Sequence, residues 1–168
     1  MKTELCPGCR AELPTSDGPI HRYIGASAAC WDVYSRALAG DPPLASGPGV
    51  PLVVDAYAAQ HPGEGSPQAT QSAAVHLVVL HAATHHQVGA GELVRLRTRI
   101  VEWGRRQGGF PRLLPVPARW DLTIHDVVAA VPLERPGVAQ DYADSVLAGW
   151  EAEHRDRVAG WYQAAMSA

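Results

Sequence analysis

Apolar residues along this chain recur mainly at the three- and four-residue spacing of α-helices. This spacing and the flanking Gly, Pro and Ser residues predict helices over 26–39, 50–60, 66–88, 92–107, 123–131 and 137–166. The first half of 50–60 would also suit a strand, but its second half favours a helix. Residues 1–20 show no clear period and are predicted to be irregular, with Gly/Pro-rich loops over 40–51 and 108–120.

The helix that begins at Ser66 and Pro67 is the predicted centre of the fold. Ser accepts a hydrogen bond from the free N–H groups at a helix start, and Pro fits the first turn. Apolar side chains surround this helix almost completely, which is typical of a buried helix. The pattern therefore predicts an all-α fold of about five to six helices. We expect a single domain over 1–168, in which a short N-terminal segment, 1–25, packs on a helical body, 26–168.

Composition fits a soluble globular protein, since 46% of the 168 residues are apolar and 18% are charged. No run of about 18 apolar residues occurs, and the first residues lack a basic-then-apolar pattern. We therefore expect no membrane contact and a cytoplasmic location. Half of the basic residues lie between 95 and 119, although the net charge is only −3. No aromatic-interleaved basic motif accompanies them, which favours a solvated helix face over a nucleic-acid groove.

Two of the three cysteines, Cys6 and Cys9, flank Pro-Gly in a Cys-Pro-Gly-Cys turn. Such a turn points both sulfurs at one metal ion, whereas a redox disulfide pair usually sits at a helix start after a strand. The odd number of cysteines argues against a disulfide framework and for thiolates in a reducing compartment. This predicted zinc knuckle supplies only half of a tetrahedral shell.

Cys30 is the predicted third ligand, and one histidine would complete a Cys3His set, which is a standard structural zinc site. His21 is the nearest histidine in sequence, and His61 is its rival because it ends a predicted helix just before Pro62. The alternative for Cys30 is a free thiol that is simply buried in its helix. Thiolate ligands favour Zn2+, with iron the weaker alternative.

A second group of histidines centres on His76, which the helix pattern places in the core. A buried imidazole needs a hydrogen-bond partner or a metal, and the carboxylate of Asp55 could orient it. Together with His61, and with His125 or His154, it would form an open metal site inside a helical bundle. The alternative is that each is a core histidine bonded to backbone or to a tyrosine.

His81, His85 and His86 form a third group near the end of the central helix. His81 and His85 are four residues apart and share a helix face, a geometry that can bind zinc or nickel. Because the Glu of an H-E-x-x-H pattern is missing, a solvated helix end is predicted instead. The chain also lacks a Gly-rich phosphate loop at a helix start and a G-x-S-x-G elbow. These absences argue against phosphoryl transfer and serine hydrolysis.

Four short motifs occur together in this chain. They are Cys-Pro-Gly-Cys at 6–9, Ser27-x-x-Cys30-Trp31, Asp55-Ala-Tyr57-x-x-Gln60-His61-Pro62-Gly63 and Ser72-x-x-x-His76-Leu77. In combination they resemble a family of small bacterial proteins of unknown function, over essentially the whole chain. The resemblance implies that the three cysteines, Asp55, His61 and His76 are family positions. It implies no particular activity.

The leading prediction is a zinc-binding cytoplasmic helical protein of unassigned activity, with the metal held by the three cysteines and a histidine. One alternative is a metalloenzyme whose open metal site, based on His61 and His76, acts on a small molecule. A further alternative is an interaction module that uses the basic face between Arg95 and Arg106.

Overall fold

The computed structural model describes residues 2–39, 49–129 and 137–168. Within these ranges, six α-helices follow a two-stranded antiparallel hairpin. The elements are β1 (Thr3–Leu5), β2 (Glu12–Pro14), α1 (Ala28–Leu38), α2 (Val50–Gln60), α3 (Pro67–His86), α4 (Ala90–Arg106), α5 (Ile124–Ala129) and α6 (Val138–Met166). The prediction of an all-α fold with five to six helices is confirmed. The assignment of the chain to a single domain stays a prediction.

Side chains cap the starts of α1, α3 and α5, and the cap of α3 is the predicted Ser66. The hydroxyl oxygen of Ser27 accepts a hydrogen bond from the Cys30 N–H at the start of α1, and Ser66 caps α3 in the same way. The carboxylate of Asp126 accepts hydrogen bonds from the N–H and the hydroxyl of Thr123, each at 2.7 Å, before α5. These local bonds satisfy donors that a helix start would otherwise leave unpaired.

The segment that suited either a strand or a helix is helical, as α2. Pro51 lies in its first turn, where the missing N–H costs nothing. Seven of its eleven residues are buried, six of them in the consecutive run from Asp55 to Gln60, so the helix as a whole shows little amphipathic period. Of the loop predicted over 40–51, residues 40–48 lie outside the described residues, as does the predicted end of the short helix at 130–131.

The sequence pattern predicted an irregular segment over 1–20, and this is wrong for its first part, because β1 and β2 form an antiparallel pair. The loop between these strands holds both knuckle cysteines. It is closed by a hydrogen bond from the Cys6 N–H to the Ala11 carbonyl at 2.9 Å, and Arg10 turns the chain in the left-handed region at φ 65°. Each strand has three residues and Leu5 is 60% exposed, so the hairpin buries too little apolar surface to show strand alternation.

The core lies where α2, α3 and α6 pack against one another, with α4 against α3 and α6. The four consecutive α3 residues from Leu77 to Leu80 are wholly buried. Helix α3 is therefore the central helix of the fold, as the sequence pattern predicts. Trp150 of α6 is 1% exposed, and its indole N–H donates to the Ala59 carbonyl at 2.9 Å. This contact fixes the end of α2, which leads into His61. None of the helices in the described ranges combines the length and apolar character needed to cross a membrane.

Candidate metal centre

Four potential ligands of one metal ion come together beside the hairpin. The ligand atoms of Cys6, Cys9, Cys30 and His61 all lie within 4.8 Å of one another, and all four residues are buried. The hairpin loop supplies the first two, the first turn of α1 supplies Cys30, and His61 is the residue that ends α2. Three separate segments of the chain therefore meet at this cluster, which we call the Cys3His group.

The spacing within the Cys3His group is that of a tetrahedral metal shell. The sulfurs of Cys9 and Cys30 are 3.8 Å apart, and the Cys30 sulfur lies 3.3 Å from His61 Nε2. Tetrahedral zinc, with Zn–S bonds of about 2.3 Å and Zn–N bonds of about 2.0 Å, places such pairs about 3.8 and 3.5 Å apart. All three cysteines are free rather than joined in a disulfide. The group could therefore hold a metal ion without large rearrangement.

Helix α2 determines which nitrogen of His61 faces the cysteines. His61 Nδ1 lies 2.8 Å from the carbonyl oxygen of Tyr57, one turn earlier. Because a carbonyl oxygen can only accept, the proton is on Nδ1, and the lone pair of Nε2 is directed at Cys30. The Tyr57 ring packs on the imidazole with centroids 4.1 Å apart. The histidine is thus oriented as a ligand by its own helix.

Nearby hydrogen-bond donors, and the cysteines themselves, stabilise negative charge on the sulfurs of the Cys3His group. The Ser27 N–H lies 3.5 Å from the Cys6 sulfur, and the Tyr57 hydroxyl lies 3.6 Å from the Cys30 sulfur. Hydrogen bonds from Cys30 and Cys9 hold the pKa of the Cys6 thiol well below its usual range. Hydrogen bonds with Cys6 and Cys9, together with burial, raise the pKa of Cys30. Three thiolates at this spacing would repel one another, so all three could be deprotonated together only around a bound cation.

Gly8 of the knuckle lies directly against the imidazole of His61. A Cβ at this position would collide with the ring and the backbone of His61, so the turn has room only for glycine. We expect Gly8→Ala to displace His61 and to weaken any metal binding by the Cys3His group at least about tenfold, as measured by competition with a colorimetric chelator. Gly18→Ala is the matched control, because its Cβ would closely approach only the Ser16 hydroxyl. Equal weakening in both variants would contradict the prediction.

His21, the other predicted fourth ligand, lies outside the Cys3His group. Its ring packs 5.0 Å from that of Trp31 and 5.3 Å from that of Tyr23. Its Nδ1 accepts a hydrogen bond from the Tyr23 N–H at 3.2 Å. The structure therefore brings His61, and not His21, to the three cysteines. Sequence distance could not decide between them because the choice depends on where α2 ends in space.

His76 lies beside Asp55, as the sequence predicts, but its side chain is 19% exposed rather than central in the core. Its Nδ1–H donates to Asp55 Oδ1 at 2.6 Å. Arg97 of α4 contacts both carboxylate oxygens through Nη2, at 2.6 and 2.9 Å. The Asp55 side chain is 1% exposed, so Arg97 balances its buried charge while Asp55 orients the imidazole. Together, His76 and Arg97 border a surface cavity of 330 Å³.

The histidines of the predicted open metal site are not brought together in the described part of the chain. His61 belongs to the Cys3His group and His76 to the pair with Asp55. His154 Nε2 donates to the carbonyl oxygen of Pro115 at 2.9 Å. His125 has a buried Nε2 that lacks a hydrogen-bond partner among the described residues, and burial lowers its pKa. An open site shared by these histidines therefore has no support in the geometry.

A second cluster of potential metal ligands consists of His81, His85 and Glu151. The sequence analysis predicted that the two histidines lie at a solvated helix end. His81 is 6% exposed, and its Nδ1 lies 3.2 Å from Oε1 of Glu151 on α6. His85 Nε2 lies 2.8 Å from the same oxygen, while Arg155 Nη2 lies 3.1 Å from the other one. Burial lowers the pKa of His81, which keeps its ring neutral at pH 7. Only His85 and His86 are exposed, so the prediction is wrong for His81.

Glu151 is the potential ligand that sequence reasoning missed. It follows Trp150 directly and lies one turn after Leu147, both of which are buried on α6. An acidic residue inside an apolar stripe is the signal that could have found it. Its histidine partners lie 66 and 70 residues earlier in the sequence, and only the packing of α3 on α6 brings the three side chains together.

The basic face of α4 is directed at solvent. Its inward residues are Leu93, Leu96, Ile100 and Gly104, and its exposed arginines are Arg95, Arg99, Arg105 and Arg106. Arg97 departs from this face because it reaches Asp55. An interaction through the exposed arginines stays a prediction.

The fold and this site define a helical protein with a buried Cys3His group that could hold a metal ion. The model of DUF5946, a family of unknown function, matches residues 4–151, and the chain therefore belongs to that family. The expectation of an uncharacterised family is confirmed, while the role of each motif stays a prediction. No curated protein and no solved structure matches the chain.

Proposed function

We propose that this protein binds Zn2+ through Cys6, Cys9, Cys30 and His61, and that the metal fastens the N-terminal hairpin to the helices. The observation that carries this proposal is the 3.8 Å separation of the Cys9 and Cys30 sulfurs within a cluster whose ligand atoms all lie inside 4.8 Å. Thiolate and imidazole ligands in tetrahedral spacing suit zinc and do not suit the oxygen-seeking magnesium or calcium. Iron is the weaker alternative.

The role of this metal is structural rather than catalytic. Four protein ligands fill a tetrahedral shell, whereas a catalytic zinc keeps one position for water or substrate. The four residues are between 0% and 3% exposed, so a substrate would not reach the ion. The three free thiols fit a reducing compartment such as the cytoplasm, which is where we expect the protein to act. Any chemistry of the family would then take place at another part of the surface.

The choice of the fourth ligand provides the test of this function. We expect the purified full chain to retain zinc. His61→Ala should weaken zinc binding at least about a hundredfold, which is more than the loss caused by changing a residue that only hydrogen-bonds to a ligand. His21→Ala is the matched control and should bind zinc as the unchanged protein does. Co2+ in place of zinc should give a thiolate-to-metal charge-transfer band that His21→Ala retains. Unchanged binding by His61→Ala, or an equal loss in both variants, would refute the proposed site.

A further inference from the structure

We propose that His81, His85 and Glu151 form a second metal site, distinct from the Cys3His group, which takes a divalent transition-metal ion and leaves a coordination position for water. This site goes beyond the structural role proposed for the zinc of the Cys3His group. It lies between α3 and α6 and draws one nitrogen from each histidine and one oxygen from the glutamate.

The distances at this second site match those between ligands of one ion. Glu151 Oε1 lies 3.2 Å from His81 Nδ1 and 2.8 Å from His85 Nε2. Two ligand atoms bonded to an ion at about 2.1 Å, at angles between octahedral and tetrahedral, are about 3.0 to 3.4 Å apart. All three ligand atoms lie within 4.8 Å of one another, so side-chain movements alone could bring them around one ion. The i, i+4 spacing of the two histidines keeps both rings on one face of α3.

Burial and charge favour a cation at this place. The side chains of Glu151 and His81 are only 4% and 7% exposed, so a carboxylate lies within a mostly apolar helix interface. Arg155 contacts Glu151 Oε2 through Nη2 at 3.1 Å, and its own side chain is 67% exposed. This leaves Oε1 for the ion, while Arg155 orients the carboxylate from the other side, as outer partners of metal ligands do.

Three protein ligands leave the second site open, unlike the Cys3His group. The side chain of His85 is 39% exposed, so the ion would lie at the solvent-facing end of the cluster. Two histidines and one glutamate are the ligand set of several catalytic zinc sites, and two histidines with one carboxylate also suit Fe2+. Water bound to such an ion loses a proton near neutral pH and becomes a nucleophile. The competing interpretation is a hydrogen-bonded cluster in which Glu151 only accepts from the two rings.

Metal titration of the full chain distinguishes these interpretations. Stripped protein is titrated with Co2+, because ligation by thiolates gives a charge-transfer band and ligation by nitrogen and oxygen does not. We expect two equivalents to bind, the second with d–d absorption only. His85→Ala and Glu151→Gln should each weaken the second equivalent at least about a hundredfold and leave the thiolate band unchanged.

His86→Ala is the matched control, since His86 neighbours a proposed ligand but stacks on Tyr162, with centroids 4.3 Å apart. It should bind both equivalents as the unchanged protein does. Binding of a single equivalent that shows the thiolate band, or an equal loss in His85→Ala and His86→Ala, would overturn the second site. A missing thiolate band would count against the Cys3His group alone, so the two proposals fail separately. If Glu151→Gln does not fold, the partly exposed His85 still decides the result.

Discussion

Removal of the metal, by chelation or through Cys30→Ser, is expected to release the N-terminal hairpin from the helices. Hydrogen exchange over residues 2–26 should become fast, while α3 and α6 remain protected. The stability of the zinc-bound chain should fall by several kcal/mol, up to about 10, because metal binding in small zinc domains supplies folding free energy. The three-residue strands bury too little apolar surface to replace that contribution.

The zinc-free protein supplies the control for this effect. Cys30 is wholly buried, so its replacement by serine changes packing as well as ligation. In the presence of chelator, the unchanged protein and Cys30→Ser should therefore differ by no more than about 1 kcal/mol, because only the packing effect remains. Retention of slow exchange in the hairpin after complete removal of zinc would show that the segment is held by protein contacts alone.

Replacement of Arg97 by methionine is the second change with a large expected effect. It would leave the carboxylate of Asp55, 1% exposed, with His76 as its remaining hydrogen-bond partner in the described part of the chain. Breaking a wholly buried ion pair costs about 3 to 5 kcal/mol. The Arg97 side chain is 36% exposed and partly screened, so we expect a loss of about 2 to 3 kcal/mol in the free energy of unfolding, measured in urea.

Arg99→Met is the matched control for this change. Arg99 lies on the same helix but is exposed, and its loss should alter stability by less than about 0.5 kcal/mol. Addition of Asp55→Asn to the Arg97→Met variant should recover part of the lost stability, because the buried charge is then removed as well. A cost for Arg97→Met no larger than that for Arg99→Met would mean that the pair with Asp55 adds nothing.

The helices could be predicted from the sequence because their signals are local. Ser66 and Pro67 mark the start of α3, and the apolar spacing locates α4 and α6 to within a few residues. The hairpin could not be predicted in the same way. Its strands are short and exposed, and the loop that joins them adopts its shape around the cysteines rather than around an apolar face.

The sequence predicts only those site residues whose spacing along the chain identifies them. Cys6 and Cys9 are recognisable as a knuckle because both ligands lie in one turn. The choice of His61, and the approach of Glu151 to the α3 histidines, depend on how separate helices pack. The sequence pattern assigned Arg97, with the other arginines of α4, to a solvated face, although its long side chain reaches a buried carboxylate on another helix.

The positions of the four potential ligands along the chain determine when a metal ion can be fully bound during synthesis. Cys9 and Cys30 are 21 residues apart, and His61 follows Cys30 by 31 more. A nascent chain therefore carries a full ligand set only after the end of α2 has left the ribosome. The knuckle is also tied to a later segment, because the Trp120 indole N–H donates to the Gly8 carbonyl at 3.0 Å. Full metal ligation would thus follow the synthesis of α2 rather than that of the knuckle alone.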